Sequence, residues 1–231
     1  MMNGLKIGVV VPTFNEERNL PFVLESLGKT GIDAILVIDG NSSDKTVEVA
    51  RNFGVQVVFQ EGNGKGNAIC QVFCNGYLDV DAVVLIDADG SMNPNEIPLF
   101  VEKLNSGFDV VKGSRFLGSG YSEDMSILRR IGNLFFVITV KLLWASEYTD
   151  LCYGYAIFTK ESMKKLAPIL KSQNFEIETE VFVKAKKIGL KIGEVPSVEL
   201  IRKHGKSNLK AFTDGLRIFR TIVNEILITN T

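Results

Sequence analysis

Two aspartates separated by one residue, Asp87 and Asp89, follow an apolar run over residues 82–86. Carboxylates at this spacing, just past a buried strand, can share one hard cation, and Mg²⁺ or Mn²⁺ prefers a few carboxylates together with phosphate oxygens and water. Because neighbouring carboxylates repel each other, such a pair also requires a positive charge nearby. The alternative is a solvated turn in which one aspartate caps the next helix. The pattern leaves both interpretations open, a divalent-cation site and a polar turn.

Two other segments carry groups suited to a nucleotide. In Gly64-Lys65-Gly66, backbone N–H groups can approach a phosphate and Lys65 adds a positive charge. This is not a Walker A loop, because glycine stands where the Mg²⁺-binding Ser or Thr would follow the lysine. Asp39 follows another apolar run and is suited to accept hydrogen bonds from a base or ribose. The alternative is an Asp-Gly turn with Asn41 as a local cap.

Arginines form a second candidate site. Arg115 follows a predicted strand, and Arg129 and Arg130 open a long apolar helix. A guanidinium binds phosphate through two parallel N–H donors, so these residues are suited to a phosphate. The alternative is that at least one of them is a solvated surface arginine. A basic loop with Arg202 and Lys206 is a further candidate, since it could close over a diphosphate.

The elements that must position these residues alternate along the first half of the chain. Short apolar runs, typical of strands buried on both faces, alternate with helical patterns. The predicted strands are Ile7–Val11, Ala34–Ile38, Val55–Phe59, Ala82–Ile86 and Asp109–Lys112. The predicted helices are near Glu16–Leu27, Asp44–Phe53 (with Ser43 as N-cap), Lys65–Tyr77 and Asn95–Asn105. This alternation predicts an α/β fold with one doubly wound, mostly parallel sheet, whose ligands bind at the carboxyl ends of the strands.

The second half of the chain is less regular. Its predicted elements are helices near Ser126–Trp144, Glu161–Leu170 and Glu176–Ile188, strands near Tyr155–Phe158 and Lys191–Val198, and a last amphipathic helix. The run Glu176, Glu178 and Glu180 is interpreted in large part as a charged helix face. Because no Pro- or Ser-rich linker separates the halves, we predict one domain.

Bulk properties exclude several classes of protein. A formal net charge of −1 provides no basic field for nucleic acid. The chain has three cysteines, and an odd count argues against a disulfide framework and favours a reducing compartment. The longest apolar stretch, residues 131–145, is interrupted by polar residues and is shorter than the roughly 20 residues that span a bilayer. The N-terminus is interpreted as a first strand, not a signal peptide.

Taken together, the motifs resemble those of family 2 glycosyltransferases, which have the GT-A fold. The matching segments are residues 10–16, 39–44, 87–89, 113–116, 175–178 and the pattern Arg202-x-x-Gly205-x-Ser207. The order of these segments covers about residues 7–208. Within the family, the chain most resembles polyprenyl-phosphate sugar synthases, because Gly113-Ser114-Arg115 is followed by the pair Arg129-Arg130. The chain departs from that pattern at three positions. Gly40 stands where the family usually has a second Asp. Ser91 stands where a Gln often helps to hold the metal, and Asn208 stands where a Lys often follows the Ser.

The resemblance implies roles for particular residues. It implies a Mg²⁺ or Mn²⁺ site at Asp87 and Asp89, and catalytic roles for Asp89, Arg115 and Glu178, with Glu178 as general base if the acceptor is a hydroxyl. The implied donor-binding residues are Pro12, Phe14, Glu16, Asp39, Asn41, Gly64, Lys65, Asp87, Ala88, Arg202, Lys206 and Ser207. The implied acceptor-binding residues are Ser114, Arg115, Arg129 and Arg130.

We therefore predict a metal-dependent, inverting enzyme that transfers a hexose or N-acetylhexosamine from a GDP- or UDP-sugar to polyprenyl (dolichyl) phosphate. Residues 1–208 form the predicted catalytic domain. Residues 209–231 form a predicted amphipathic helix, packed on the domain or at the membrane interface. Because a long lipid acceptor stays in the bilayer, we expect peripheral association with the cytoplasmic face of a membrane.

Three alternatives remain at this point. The first is a family 2 glycosyltransferase with a sugar or protein hydroxyl as acceptor. The second is a sugar nucleotidyltransferase, which usually has its glycine-rich loop directly after the first strand, where this chain has Pro12-Thr13-Phe14. The third is a non-catalytic nucleotide-sugar-binding module, which the intact Asp87 and Asp89 disfavour.

Overall fold

Seven strands form the main sheet in a computed structural model of the protein, which describes residues 1–205 and 210–227. These strands are β1 (Ile7–Thr13), β2 (Ala34–Asp39), β3 (Gln56–Phe59), β4 (Ala82–Leu85), β5 (Val110–Ser114), β7 (Ala156–Thr159) and β8 (Ile192–Pro196). Two short strands, β6 (Tyr121–Ser122) and β9 (Val198–Glu199), form a separate parallel pair. Every strand predicted from the sequence is present, with ends that differ by a few residues.

The strand order of the main sheet is β3-β2-β1-β4-β7-β5-β8. All neighbours are parallel except β7, which is antiparallel to both β4 and β5. Alternate residues of β1 enter two different cores, Val10 on one face and Val9 and Val11 on the other. Since both faces are covered by apolar side chains, the strands are almost continuously hydrophobic. The structure confirms the predicted doubly wound, mostly parallel sheet.

The helices that cover the sheet are α1 (Leu20–Leu27), α2 (Thr46–Asn52), α3 (Lys65–Asn75), α4 (Ile97–Asn105), α5 (Ile127–Trp144), α6 (Lys160–Leu166), α7 (Ile177–Lys187) and α8 (Ala211–Leu227). Helix α1 begins later than predicted because Asn15 has a positive φ of 55° and Pro21 occupies the first helical turn. The prediction of Ser43 as N-cap of α2 is wrong. Asp44 instead accepts the Thr46 N–H, at 2.9 Å.

Helix α8 packs on α5 and α7, where it buries Ile218 and Ile222. Ion pairs reinforce this contact, because Glu225 of α8 lies 3.4 Å from Lys184 and 2.9 Å from Lys187 of α7. Within the described ranges, no helix combines the length and the hydrophobicity needed to cross a membrane.

Candidate active site

A cavity of about 440 Å³ opens at the carboxyl edge of the sheet. Its walls come from the segments after β1, β2, β3 and β4, from the start of α7 and from residue 202. The predicted donor residues that line it are Pro12, Phe14, Glu16, Gly64, Lys65, Asp87, Ala88 and Arg202. The loops that carry the sequence motifs therefore meet at one edge of the sheet, as expected for an open α/β fold.

Lys65 and two carboxylates form the charged floor of this cavity. The Lys65 ammonium lies 2.5 Å from Asp87 Oδ1 and 2.6 Å from Glu178 Oε1. Burial raises the pKa of Asp87 to about 6, helped by the charges of Asp89 and Glu178 and opposed by Lys65. Burial alone would lower the pKa of Lys65, but the charges of Asp87 and Glu178 raise it above its ordinary value. Lys65 thus offsets the repulsion expected within the aspartate pair.

The second aspartate of the pair also faces the cavity. Asp89 Oδ1 accepts the Ser91 N–H at 3.0 Å, which fixes the carboxylate at the start of the turn. Among the described residues no cluster of three or more Asp, Glu, His or Cys side chains is arranged to hold a metal ion. Two carboxylates beside a net negative floor fit Mg²⁺ or Mn²⁺ that completes its coordination with diphosphate oxygens and water. The donor set is therefore compatible with a metal that binds together with the nucleotide.

The glycines around Lys65 allow a close approach to the loop over residues 172–174. Gly64 has a φ of 88°, and a Cβ on Gly64 would clash with the carbonyl oxygen of Gln173. A Cβ on Gly66 would clash with the carbonyl oxygen of Ser172. Helix α3 begins at Lys65, so its N-terminal turn lies at the cavity wall. The Asn67 N–H already donates to the Gln173 carbonyl at 3.1 Å. Since free N–H groups of a helix N-terminus bind anions, those of Lys65 and Gly66 are the groups in this turn suited to a phosphate.

Asp39 and Asn41 do not line the cavity. Asp39 is fully buried and accepts hydrogen bonds from Thr13 Oγ1 at 3.0 Å, the Ser42 N–H at 2.8 Å and Ser42 Oγ at 2.6 Å. Asn41 is exposed, and its amide donates to the Gln60 carbonyl at 3.5 Å. The carboxylate of Asp39 is engaged by its own loop in this structure, and its contact with a nucleotide stays a prediction. The engagement of Asp39 matches the alternative of a locally capped Asp-Gly turn.

Arg115 is not a free phosphate ligand in the structure. Its side chain is 2% exposed, and Nε and an Nη of the guanidinium contact both oxygens of Asp150, at 2.7 and 3.0 Å. A further Nη lies 3.1 Å from Glu199. Ser114 is also buried, and its hydroxyl lies 2.5 Å from that of Thr149. Both side chains have partners from distant loops in this structure, and their direct contact with an acceptor stays a prediction.

Arg129 is the predicted acceptor arginine that lines the cavity. Its guanidinium is 3.9 Å from Asp124 and 3.9 Å from Glu199, so both ion pairs are loose. Arg130, on the next position of the helix, is exposed, lies over the ring of Phe116 at 5.7 Å and does not reach the cavity. The two arginines are therefore not equivalent, and only Arg129 faces the site.

Glu16 and Arg202 close another side of the cavity. Their side chains form a salt bridge of 2.9 Å, and Glu16 also accepts the amide of Asn19 at 2.5 Å. Two further predicted donor residues, Lys206 and Ser207, lie outside the described residues. Glu16 is thus placed to hold Arg202 at the cavity and does not point a free carboxylate at a ligand.

The glutamate run of α7 differs from its interpretation as a solvated face. Glu176 and Glu180 are 8% and 2% exposed, and Glu178 lines the cavity. Glu180 accepts the backbone N–H groups of Lys171 and Ser172, and thereby anchors the loop that packs on α3. Glu180 also pairs with Lys184 of the same helix, at 2.6 Å, but its backbone partners and the Lys65 partner of Glu178 come from other elements, which explains why the sequence pattern alone indicates a surface.

Comparison with known proteins agrees with this geometry. Residues 8–167, more than half of the chain, match the family described as Glycosyl transferase family 2. The chain belongs to this family. It is 30% identical over 223 residues to a dolichyl-phosphate hexose transferase of Haloferax volcanii, which covers 96% of this chain and 94% of the relative. It is 26% identical over 233 residues to a UDP-N-acetylglucosamine–dolichyl-phosphate N-acetylglucosaminyltransferase of Methanococcus voltae, covering 92% and 93%.

A solved structure supports the same assignment at the level of the fold. Glucosyl-3-phosphoglycerate synthase of Mycobacterium tuberculosis, in complex with Mn²⁺, UDP and glucosyl-3-phosphoglycerate, is similar with a TM-score of 0.76 and 22% identity. The match covers 99% of this chain and 82% of that chain. The family 2 glycosyltransferase described here therefore has the GT-A fold.

Several residues of this glycosyltransferase escaped the sequence analysis. Gln60, Tyr153, Gly154 and Glu199 line the cavity, although none belongs to a recognisable motif. A Cβ on Gly154 would lie 2.6 Å from Glu178 Oε1 and 3.0 Å from Lys65 Nζ, so this glycine leaves room for the charged floor. The glycine itself carried no usable signal, because isolated glycines are common in loops.

The unusual Gly40 of this glycosyltransferase lines the cavity too. A Cβ at this position would lie 3.2 Å from Gln60 Oε1 and 3.3 Å from the Thr13 carbonyl oxygen. An aspartate at position 40 would therefore require Gln60, which follows β3, to shift. Ser91 is buried, and its carbonyl accepts the Leu200 N–H at 2.8 Å. This contact ties the Asp87–Asp89 turn to the segment after β9.

Proposed function

We propose that this glycosyltransferase moves a sugar from a UDP-sugar to a polyprenyl phosphate at a membrane surface, with inversion at the anomeric carbon. The observation that carries the proposal is the position of Arg129. It faces the donor cavity and lies in the first turn of α5, a helix whose outer face is apolar. A phosphate at Arg129 would therefore have its lipid chain beside an apolar surface. The named dolichyl-phosphate relatives support the same acceptor class.

The residues that line the cavity support a position for the donor. Phe14, Gly40 and Gln60 offer an apolar face and an amide for a base, next to the end of β2. The N-terminal turn of α3 and Arg202 offer N–H and guanidinium donors for the diphosphate. A divalent cation held by Asp87 and Asp89 would supply positive charge to the departing diphosphate. The UDP named for one relative and for the structural neighbour supports UDP as the nucleotide, with GDP as the alternative to be tested.

The chemistry follows from the charge of the acceptor. An oxygen of the lipid phosphate forms a bond to the anomeric carbon while the bond from that carbon to the diphosphate breaks, and the nucleoside diphosphate leaves. A phosphate monoester is anionic at neutral pH, so no general base is needed. Arg129 holds this phosphate in line with the donor. Glu178, paired with Lys65, would take a proton only if the acceptor were a hydroxyl.

The membrane part of the proposal concerns the outer surface of α5 and α8. Leu128, Ile131 and Leu142 of α5 are 65%, 60% and 81% exposed, and Phe212 of α8 is 85% exposed. The two helices meet there, with the rings of Phe135 and Phe219 separated by 6.3 Å. An exposed apolar surface of this extent marks an interaction site, and an interfacial orientation would bring the protein to its lipid acceptor. Free thiols at all three cysteines support a reducing, cytoplasmic face.

The function is tested with a panel of radiolabelled UDP- and GDP-sugars and three acceptors. The acceptors are polyprenyl phosphate, a soluble phosphorylated acceptor such as phosphoglycerate, and water. We expect labelled lipid with a UDP-sugar, loss of transfer in EDTA, and loss of transfer in Asp89→Asn with the fold retained. Transfer to phosphoglycerate but not to lipid would refute the lipid acceptor, and full activity in EDTA would refute the metal dependence.

A further inference from the structure

Lys65 occupies the position next to Asp87 that a metal would share. Its ammonium lies 2.5 Å from Asp87 and 2.6 Å from Glu178, and its side chain is only 11% exposed. We propose that Lys65 is an exchangeable counter-cation, which neutralises Asp87 in the ligand-free protein and moves to the donor diphosphate when metal and nucleotide bind together. Metal and nucleotide then bind interdependently. This inference rests on the proposed metal-dependent function.

The location of Lys65 in the fold makes both positions reachable. It is the first residue of α3, so its own backbone N–H belongs to the helix turn suited to a phosphate. Its side chain is a flexible stem with three donors, which can exchange a carboxylate for a phosphate by rotation. Gly154 provides space for the movement, since a side chain there would contact Lys65 and Glu178. One residue therefore reaches both the carboxylates and the diphosphate.

The charges at the cavity indicate whether the nucleotide raises or lowers the affinity for the metal. Of the lining residues in the part of the chain that the structure describes, Lys65 is the one lysine, and the carboxylates of Asp87, Asp89 and Glu178 face the cavity with it. A divalent cation that binds Asp87 without nucleotide would lie beside this ammonium, and like charges at short range repel strongly. A bound diphosphate attracts both the metal and the Lys65 ammonium, and thereby offsets the repulsion between them. By linkage, nucleotide then raises metal affinity by the same factor by which metal raises nucleotide affinity.

The prediction is that removing a positive charge at residue 65 strengthens metal binding in the absence of nucleotide. Mn²⁺ affinity is measured by calorimetry and by electron paramagnetic resonance, with and without UDP, for wild type, Lys65→Met and Lys65→Arg. Allosteric couplings typically lie at roughly 5- to 150-fold, so we expect Lys65→Met to bind Mn²⁺ alone tighter by a factor in that range. In the same variant, UDP binds more weakly and the enhancement of Mn²⁺ affinity by UDP falls. Lys65→Arg keeps the charge and should stay near wild type.

A charge-matched control separates this local effect from the change in net charge. Lys164→Met removes an exposed, ion-paired lysine on α6, so its Mn²⁺ affinity should equal that of wild type. Thermal unfolding checks the fold of each variant, and Lys65→Gln replaces Lys65→Met if the latter is unfolded.

Two outcomes have different meanings. If wild type binds Mn²⁺ with UDP but Lys65→Met binds Mn²⁺ alone no tighter than wild type, the counter-cation role is refuted while the proposed function stands. If wild type binds no Mn²⁺ with UDP or with GDP, the metal-dependent function itself fails, and the exchange at Lys65 fails with it.

Discussion

Arg115 and Asp150 form a buried, two-point salt bridge, with Nε 2.7 Å and an Nη 3.0 Å from the carboxylate oxygens. Arg115 directly follows β5, and Asp150 lies in the segment between α5 and β7. Asp150 also accepts the Arg115 backbone N–H at 3.2 Å, so the pair holds the two segments together. Glu199 lies 3.1 Å from Arg115 and 3.9 Å from Arg129, so it connects the buried pair to the arginine that faces the cavity.

The first prediction follows from this burial. Arg115→Ala leaves Asp150 and Glu199 without their guanidinium, and breaking a buried ion pair on one side costs about 3–5 kcal/mol of unfolding free energy. Urea denaturation measures the change. Arg130→Ala, which removes an exposed arginine, is the control and should change stability by no more than about 0.5 kcal/mol. Equal stability of Arg115→Ala and wild type would show that Arg115 is available for a ligand after all.

The second prediction concerns the acid side of the stability profile. Burial alone would raise the pKa of Asp150, but Arg115 lowers it below its ordinary value of 3.8. A lowered carboxyl pKa contributes stability that is present above 3.8 and is lost as the pH falls through the folded-state value. Asp150→Asn should therefore be less stable than wild type at neutral pH, and the difference should shrink below 3.8. Denaturation curves from about pH 2 to pH 7 test this, and a constant difference would contradict it.

The sequence was informative where a residue's role depends on its own strand or loop. The apolar runs located β1, β2, β4 and β5, and the sheet rule then placed Asp87, Asp89 and Lys65 at one edge. Roles that depend on distant partners could not be derived in this way. Nothing in the pattern around Arg115 indicates that Asp150 will meet it, since 35 residues separate them. The burial of Glu180 likewise depends on backbone N–H groups of another loop.

Local backbone geometry explains the remaining differences. Asp39 has the position expected of a ribose ligand, and the sequence did not indicate that Thr13 and Ser42 would donate hydrogen bonds to its carboxylate. Thr13 and Ser42 are ordinary loop residues in the sequence. Only the folded turn shows that their hydroxyls point towards Asp39. The start of α1 was misplaced for a similar reason, because the helical spacing of apolar residues extends past the turn at Asn15.

The third prediction distinguishes the two neighbouring arginines. Arg129→Ala should lower kcat/KM for polyprenyl phosphate by about 1.5–3 kcal/mol of transition-state stabilisation, the usual value of a hydrogen bond to a charged group. Hydrolysis of the donor by water should change much less, because Arg129 serves the acceptor. Arg130→Ala is the matched control and should retain transfer. If both rates fall equally in Arg129→Ala, this arginine serves the donor or the fold.

The fourth prediction concerns Gly154. The Cβ of Gly154→Ala would lie 2.6 Å from Glu178 Oε1, the end of a flexible side chain, so the carboxylate can move away and the fold is kept. Transfer should nevertheless fall, because Lys65 and Glu178 are displaced. Gly66→Ala differs, since its Cβ meets the backbone of Ser172, and overpacking of this kind costs about 1–3 kcal/mol. Thermal unfolding and a transfer assay on both variants test the contrast, which disappears if Gly154→Ala is as unstable as Gly66→Ala.

The last prediction concerns the membrane. The exposed charges of α5 and α8 are basic, with Arg130, Lys141 and Arg220 on the surface, whereas the acidic Asp214 and Glu225 are buried and paired. Apolar side chains flanked by cations favour anionic lipid headgroups, and the affinity of such a surface rises with buried apolar area and with lipid charge.

Liposome flotation measures this affinity directly. We expect the wild-type protein to float with anionic vesicles and to bind less at high salt, because salt screens the headgroup attraction. The variant Leu128→Glu with Leu142→Glu introduces two negative charges into the apolar surface and should remain at the bottom of the gradient. Leu99→Glu on α4 is the control, since Leu99 is also exposed, at 45%, but lies outside the α5–α8 surface. If wild type does not float but sedimentation shows a dimer that the double variant abolishes, the surface binds a second copy of the chain, and the membrane proposal is wrong.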